Sequence, residues 1–300
     1  MSGTLVSVGI PTRNRAARLE RAVRSVLAQE GAELELIVSD NASTDGTAQL
    51  CDELAAADPR VRVVRQATDI GAEANFQTVL DAARGSLFMW LADDDWIDPG
   101  YLAACAACLD QHPDHVVVCG RGRYYRGGEQ VFVERPVNLL SRSRSARLVG
   151  FYKTVTLNGP FYGVIRREQL LGLPRRKAVG NDWLVVAALA YTGMIRTVEG
   201  VSIHRSIEGT SQDEDSLGRA YGLSRRQARH WYLIVALEVF RDIRGASTYS
   251  GIGRVGRNTL AAVAASLVVI RFGPKAVTAR GLARVGLLKG ARRSLERRRR

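Results

Sequence analysis

No stretch of this sequence approaches the roughly 20 apolar residues that span a bilayer. The longest apolar run, residues 259–270 (TLAAVAASLVVI), has 12. Residues 5–10 are apolar but run straight into Pro11 and a basic segment with no small-residue cleavage pattern, so a secretory signal is not expected. Cysteine is scarce: Cys51, Cys105, Cys108 and Cys119 are too few for the disulfide framework of a secreted domain. Cys105 and Cys108 form a CxxC, but there is no second one, and both fall in the alanine-rich helical pattern YLAACAACLDQH. Buried structural thiols are the expectation there, not a zinc or redox centre. The first strand-to-helix turn lacks GxGxxG, which argues against a dinucleotide-binding domain, and there is no GxxxxGK(S/T) loop for common ATP or GTP hydrolysis. Together these absences predict a cytoplasmic protein, peripheral on the inner face of the cell membrane if it meets one.

Acid is missing from one end of the chain. Residues 243–300 hold fourteen Arg or Lys and a single acid, Glu296, which accounts for the whole net charge of +13. A neutral body with a basic tail differs from a uniformly basic nucleic-acid binder, and no nucleic-acid partner is expected. The tail suits an anionic membrane surface instead, at about 1 kcal/mol per basic residue near it. Its apolar positions Val277, Leu282, Val285, Leu288 and Leu295 share a helical face only loosely, with Arg284 on the same side. Glycines at 251, 253, 256, 273, 281, 286 and 290 are expected to interrupt any helix there.

What the first 120 residues do contain is alternation. Short β-rich runs at 5–11, 34–41, 61–66, 87–92 and 115–120 are separated by helical patterns at 15–29, 47–57, 72–84 and 100–111. Strands apolar on both faces predict a mostly parallel, Rossmann-like sheet with flanking helices. Ligands bind such sheets at the carboxyl ends of the strands, which gathers Thr12–Asn14, Asp40–Asn41, residues 68–71 and Asp93–Asp95 along one edge. Farther on, residues 158–166 read as a turn followed by a strand. Residues 181–191 read as a capped buried helix, residues 195–199 as a strand, and residues 216–243 as one long helix. The expected division is a domain over 1–212, with halves 1–122 and 123–212, and a helical, basic extension over 213–300.

Three consecutive carboxylates, Asp93, Asp94 and Asp95, follow the apolar run LFMWL. Like charges at a strand end repel, and a hard divalent cation, Mn²⁺ or Mg²⁺, would relieve them while bridging phosphates. A solvated loop or the cap of the next helix is the alternative. Asp40 could accept from the N–H of a nucleobase, although SDNASTDGT is also rich in turn formers.

VSVGIPTRNR, IVSDNASTDGT and LFMWLADDDWIDP, in that order and spacing, resemble the signatures of family 2 glycosyltransferases with the GT-A fold. Those signatures are a PTYNR-like turn, a DNxSxDGT segment and a DxD-type metal motif. Gly71 and Asn75 fall where that family has an NxGxxxxxN-like segment. The resemblance implies a nucleotide-sugar pocket lined by Pro11, Thr12, Arg13, Asn14, Asp40, Asn41, Gly71, Asn75 and Asp93, with Asp40 reading the base. It implies Asp94 as the main metal ligand, with Asp95 and His204 joining it, and Asp182 as general base. Asn181–Asp182 stands where the family often has Glu-Asp; a helix cap is the competing reading of Asp182. The sequence departs from the commonest form, LDADD, at Ala92. The implied activity is inverting, metal-dependent transfer from a nucleoside-diphosphate sugar to a hydroxyl acceptor, lipid-linked acceptors included, in polysaccharide, glycolipid or other glycoconjugate synthesis. A nucleotidyltransferase making a nucleotide sugar is the runner-up; it would be expected to carry a glycine-rich phosphate loop where GIPTRNR stands. A nucleic-acid binder using the tail ranks last.

Overall fold

The computed structural model describes residues 4–174, 177–207, 218 and 221–284. The chain divides into two units: residues 1–177 with 181–209, and residues 178–180 with 210–300.

In the first unit the apolar runs become strands β1 (Val6–Thr12), β2 (Leu34–Asp40), β3 (Val61–Arg65) and β4 (Leu87–Trp90). The helical patterns become α1 (Ala16–Leu27), α2 (Thr47–Ala57), α3 (Ala72–Ala82) and α4 (Tyr101–Gln111). β1 lies between β2 and β4, parallel to both, and β3 adds parallel to β2. Every residue of β1 is buried, because helices cover both faces of a parallel sheet. α1 buries the stripe Leu19, Ala22, Val23 and Val26, the spacing of one helical face. At Gly9 any side chain would collide with α3, since a Cβ there would stand 2.6 Å from Val79 Cγ2.

The parallel character ends at β4. Strands β5 (Trp96–Ile97), β6 (His115–Arg126), β7 (Glu129–Val133), β8 (Val164–Arg166) and β9 (Met194–Ser206) complete a mixed sheet of order β3-β2-β1-β4-β8-β6-β9-β5, with β7 on β6. β8 runs antiparallel to both β4 and β6, and β5 antiparallel to β9. The β5–β9 register sets Trp96 opposite His204, which draws the acidic run just before β5 against the end of β9. Of the helices α5 (Arg144–Thr154), α6 (Arg167–Leu171) and α7 (Asn181–Thr192), only α7 matches a helix expected from the sequence, over 181–191; α5 and α6 are not among the expected elements. All four cysteines are free and buried.

The second unit holds α8 (Arg225–Arg229), α9 (Trp231–Gly245) and α10 (Arg254–Arg284). The single helix expected over 216–243 is broken: residues 218 and 221 are helical, but α8 starts only at Arg225; residues 216, 217, 219 and 220 lie outside the described residues. Gly222 has φ +65°, which no helix tolerates, and Ser224 and Gln227 close a reciprocal capping box that starts α8 afresh. The glycine-interrupted tail departs the other way: α10 runs unbroken through Gly256 and Gly273. Each glycine costs about 1 kcal/mol in a helix, and burial of Leu260, Ala261, Ala264 and Val268 offsets it. The apolar segment is correspondingly longer than the 12-residue run suggests. Within the 20 residues Arg254–Gly273 an 18-residue window has mean hydropathy 1.4, long and apolar enough by length and composition to cross a membrane, with 22% of that window buried within the fold. Residues 285–300, which carry the end of the basic tail, lie outside the described residues.

Candidate active site

The acidic run sits where β4 ends. Thr12, the last residue of β1, donates its hydroxyl to Asp93 Oδ2 at 2.8 Å. Burial pushes the Asp93 carboxyl up to about 6, against the pull of Thr12 and Arg15. Asp94 is 7% exposed and Asp95 2%.

Cations of the chain itself answer these charges. Arg15 Nη1 and Arg18 Nη1 reach Asp94 Oδ2 at 3.4 and 3.2 Å, and Arg21 Nη2 donates to the Asp94 carbonyl at 2.9 Å. Arg205 Nε donates to Asp95 Oδ2 at 3.1 Å, and the Ser206 N–H donates to Asp95 Oδ1 at 3.0 Å. Burial raises the Asp95 carboxyl and the Arg205 guanidinium opposes that rise. Both oxygens of Asp95 are therefore engaged. Among the described residues, Asp93 Oδ1 and Asp94 Oδ1 have no hydrogen-bond partner.

The neighbouring strand ends form a polar wall. Asn14 adopts φ +53°; its N–H donates to Ser43 Oγ and its Oδ1 accepts from the Thr44 N–H. Arg13 forms an ion pair with Asp69. Asp69 also accepts from Asn41 Nδ2 at 2.7 Å and from the Gly71 N–H at 2.9 Å, and Asn41 Oδ1 accepts from the Ile70 N–H. Gly71 has φ +83° just before α3, a conformation that favours glycine. Asp40 is 1% exposed, accepts from the Ser43 N–H at 3.1 Å and lies 3.7 Å from Arg65 Nε. Pro11 is buried in β1, opposite Ser39. Asn75, expected to touch the nucleotide, is 3% exposed and spends its amide inside the protein. Its Nδ2 donates to the Thr12 and Ser39 carbonyls and its Oδ1 accepts from Ser39 Oγ. In this structure it braces two strand ends.

Asp182 opens α7. Desolvation raises its carboxyl, against donation from Asn158 Nδ2 at 3.0 Å and from the Trp183 N–H. The phenol of Tyr162 is pushed up to about 12 by burial and senses Arg205, Asp95, Asp182 and Asp94 together. The base candidate and the acidic run thus share one neighbourhood, with Arg205 3.9 Å over the Tyr162 ring. His204, expected as a metal ligand, lies near the end of β9. Its Nε2 faces Asp98 Oδ1 at 2.6 Å, its Nδ1 faces the Tyr125 hydroxyl at 2.9 Å, and its ring stacks on Trp96. One nitrogen thus meets the segment just after β5 and the other meets β6.

Sequence reasoning missed the four arginines and Asp69. A signal existed for three of them: Arg15, Arg18 and Arg21 recur at every third position, one side of a helix. Arg205 carried no such pattern. A further cluster, His112, Asp114 and His115, has ligand atoms within 4.8 Å of one another. It lies where β6 begins, at the sheet edge opposite the acidic run.

The Glycosyl transferase family 2 model matches residues 7–171. The GalNAc(5)-diNAcBac-PP-undecaprenol beta-1,3-glucosyltransferase of Campylobacter jejuni is 34% identical over 112 residues, 37% of this chain and 36% of the relative. The chain spans between 13% and 40% of the length of the curated relatives compared with it. Among solved structures, S. aureus TarS 1-349 in complex with UDP-GlcNAc is similar with TM-score 0.61 and 21% identity, covering 89% of this chain and 72% of that one. The mannosyltransferase PcManGT from Pyrobaculum calidifontis, in complex with GDP-Man and Mn²⁺, is similar with TM-score 0.51 and 19% identity, covering 96% and 81%. These likenesses show the GT-A fold.

Proposed function

The chain belongs to glycosyl transferase family 2, and we propose that it moves a sugar from a nucleoside-diphosphate sugar to an acceptor hydroxyl with inversion at the anomeric carbon. The observation that carries this reading is the convergence of a raised carboxylate, Asp182, and a charge-dense acidic run around Tyr162 and Arg205.

An acceptor hydroxyl is a poor nucleophile at neutral pH. Asp182 takes its proton as the oxygen forms its bond to the anomeric carbon. The bond from that carbon to the diphosphate oxygen breaks, and its electron pair leaves with the nucleoside diphosphate. Thr12, Arg13, Asn14, Asp40, Asn41 and Gly71 line the nucleotide side, as the polar wall at the ends of β1 and β2 supports.

The donor set suits a hard divalent ion. Asp93 Oδ1 and Asp94 Oδ1 supply two carboxylate oxygens at a strand end, the number a phosphate-bridging Mg²⁺ or Mn²⁺ uses alongside the phosphates themselves. Held by Asp93 and Asp94, such an ion would supply charge stabilisation for the departing diphosphate. Asp95, held by Arg205 and Ser206, and His204, held by Asp98 and Tyr125, would have to give up those partners to join it. Arg15 and Arg18, already in this corner, are placed to bind diphosphate oxygens.

The similarity to an enzyme named for an undecaprenol diphosphate substrate supports a lipid-linked acceptor in glycoconjugate synthesis. The basic tail and α10 support attachment to an anionic membrane surface. In the second unit Leu233, Leu237, Val263 and Ile270 are exposed, apolar side chains of the kind that enter a headgroup layer.

The test is turnover of UDP-, GDP-, dTDP- and CDP-sugars by wild type and Asp182→Asn in the presence of Mn²⁺. One nucleotide sugar should be consumed by wild type only, with nucleotide binding retained in the variant. Wild-type turnover by Asp182→Asn would refute the assignment of the base.

A further inference from the structure

A buried polar side chain that the mechanism above does not use lies against the Asp182 carboxylate. Asn158 is 2% exposed, and its backbone sits in the left-handed region at φ 54°, ψ 46°. Asn is one of the few non-glycine residues that adopt this conformation routinely. It precedes the 3-10 turn Gly159–Tyr162, which is fastened from behind. The Glu134 carboxylate accepts from the Gly159 N–H, from Thr156 Oγ1 at 3.2 Å and from the Tyr124 hydroxyl at 3.1 Å. A Cβ at Gly159 would collide with Glu134 Oε2, so the turn closes directly onto that carboxylate.

Held this way, Asn158 Nδ2 donates to Asp182 Oδ2 at 3.0 Å. Its Oδ1 is buried and has no hydrogen-bond partner among the described residues. The amide cannot turn over to satisfy Oδ1, because that would press it against a carboxylate oxygen, which only accepts. A buried acceptor left unpaired beside a base is an exception to ordinary protein packing. A substrate that brings a second hydroxyl would complete it.

We propose that Asn158 positions the Asp182 base, and that its Oδ1 accepts from a second hydroxyl of the acceptor, next to the one that attacks. The inference rests on Asp182 being the base. It deepens that reading by assigning the acceptor's class: a carbohydrate with neighbouring hydroxyls, not an isolated alcohol. Donation from Nδ2 engages one carboxylate oxygen and leaves the other to take the proton. It also favours the ionised form, countering the desolvation that raises Asp182. Among the described residues, the charged and titratable groups that act on Asp182 include Arg205 from β9 and Tyr162 from the 3-10 turn. Of these, Arg205 also favours the ionised carboxylate.

The experiment uses two variants of the full chain. Asn158→Gly keeps the left-handed backbone and removes the amide; Asn158→Asp keeps the size and sets a second carboxylate against the first. The Asp182 carboxyl is titrated by ¹³C NMR without any ligand. Turnover of UDP-GlcNAc, GDP-mannose, dTDP-glucose and CDP-glucose is then followed with Mn²⁺. The Asp182 pKa should rise by about one unit in Asn158→Gly, tenfold in proton affinity, and farther in Asn158→Asp. For the sugar nucleotide that wild type consumes, kcat should fall about 10- to 100-fold with donor KM unchanged. An Asp182 titration that neither variant moves overturns the proposal. Turnover by Asp182→Asn would instead sink the base itself. An inactive Asp182→Asn beside a wild-type-like Asn158→Gly would sink the positioning role alone.

Discussion

Arg205 Nε donates to Asp95 Oδ2 at 3.1 Å, inside a site where Asp95 is 2% exposed. The same guanidinium covers Tyr162 at 3.9 Å and donates to the Leu157 carbonyl at 3.0 Å. The third carboxylate of the DDD run is thus answered by the chain itself. Arg205→Met would strand a buried charge, which costs about 3–5 kcal/mol. The urea unfolding midpoint should fall accordingly; an unchanged midpoint would mean that the pair contributes nothing to the fold.

Asp94 and Asp95 should separate cleanly in a metal titration. Asp94→Asn should lose Mn²⁺ binding measured by electron paramagnetic resonance, and turnover should drop by about two orders of magnitude or more. Asp95→Asn should retain Mn²⁺ binding. Mn²⁺ could also bind the His112, Asp114 and His115 cluster, so His112→Ala serves as the control and should leave turnover unchanged. Loss of Mn²⁺ binding in Asp95→Asn rather than Asp94→Asn would reverse the assignment.

Arg15 and Arg18 both reach Asp94 Oδ2, so removing one of them should have two opposite effects. Arg18→Gln should tighten Mn²⁺ binding, because one competing cation is gone. It should weaken binding of a nucleoside diphosphate, because one charge-assisted contact to phosphate is lost. Calorimetry with Mn²⁺ alone and with UDP or GDP alone reads both; a change of the same sign in the two would contradict the double role.

The raised carboxyl of Asp93 gives a pH dependence of known sign. Its folded pKa of about 6 exceeds the unfolded value near 3.8, so the folded state holds the proton more tightly. That contribution is fully present below pH of about 4 and is lost as the pH rises through about 6. The melting temperature of metal-free Asp93→Asn, relative to wild type, should therefore increase between pH 5 and pH 8. A difference flat with pH would show that Asp93 titrates as an ordinary exposed carboxylate.

Membrane attachment is best tested without removing α10, because Leu260, Ala261, Ala264 and Val268 are buried and truncation would expose what they cover. Replacing Arg297–Arg300 by Gln should lower flotation with anionic phosphatidylglycerol vesicles and leave neutral phosphatidylcholine vesicles unaffected. The loss should weaken with salt, as screening requires. Equal flotation of both proteins at low salt would rule out the tail as an electrostatic anchor.

The first half of the fold was legible because local pattern and tertiary role coincide there. β1 to β4 and α1 to α4 fall within a few residues of the apolar runs and helical periodicities that announced them. The second unit was less so. The start at Ser224 depends on a capping box that is visible in the sequence but weak against an apolar pattern. The continuity of α10 depends on burial against its neighbours, which overrides the glycine cost.

The sequence by itself determined which polar residues stand at the strand ends, because a parallel sheet delivers every loop after a strand to one edge. It also determined the family, through three motifs in fixed order. What only the tertiary structure decided is how those groups are spent. Asn75 and His204 have the chemistry of ligand contacts, and the hydrogen bonds they make here go to partners from other strands and loops. Arg205 reaches Asp95 across 110 residues, and Asn158 reaches Asp182 across 24. Hydrogen bonds act over about 3 Å and depend on direction, so no spacing along the chain encodes such pairs until the sheet has folded and closed the distance.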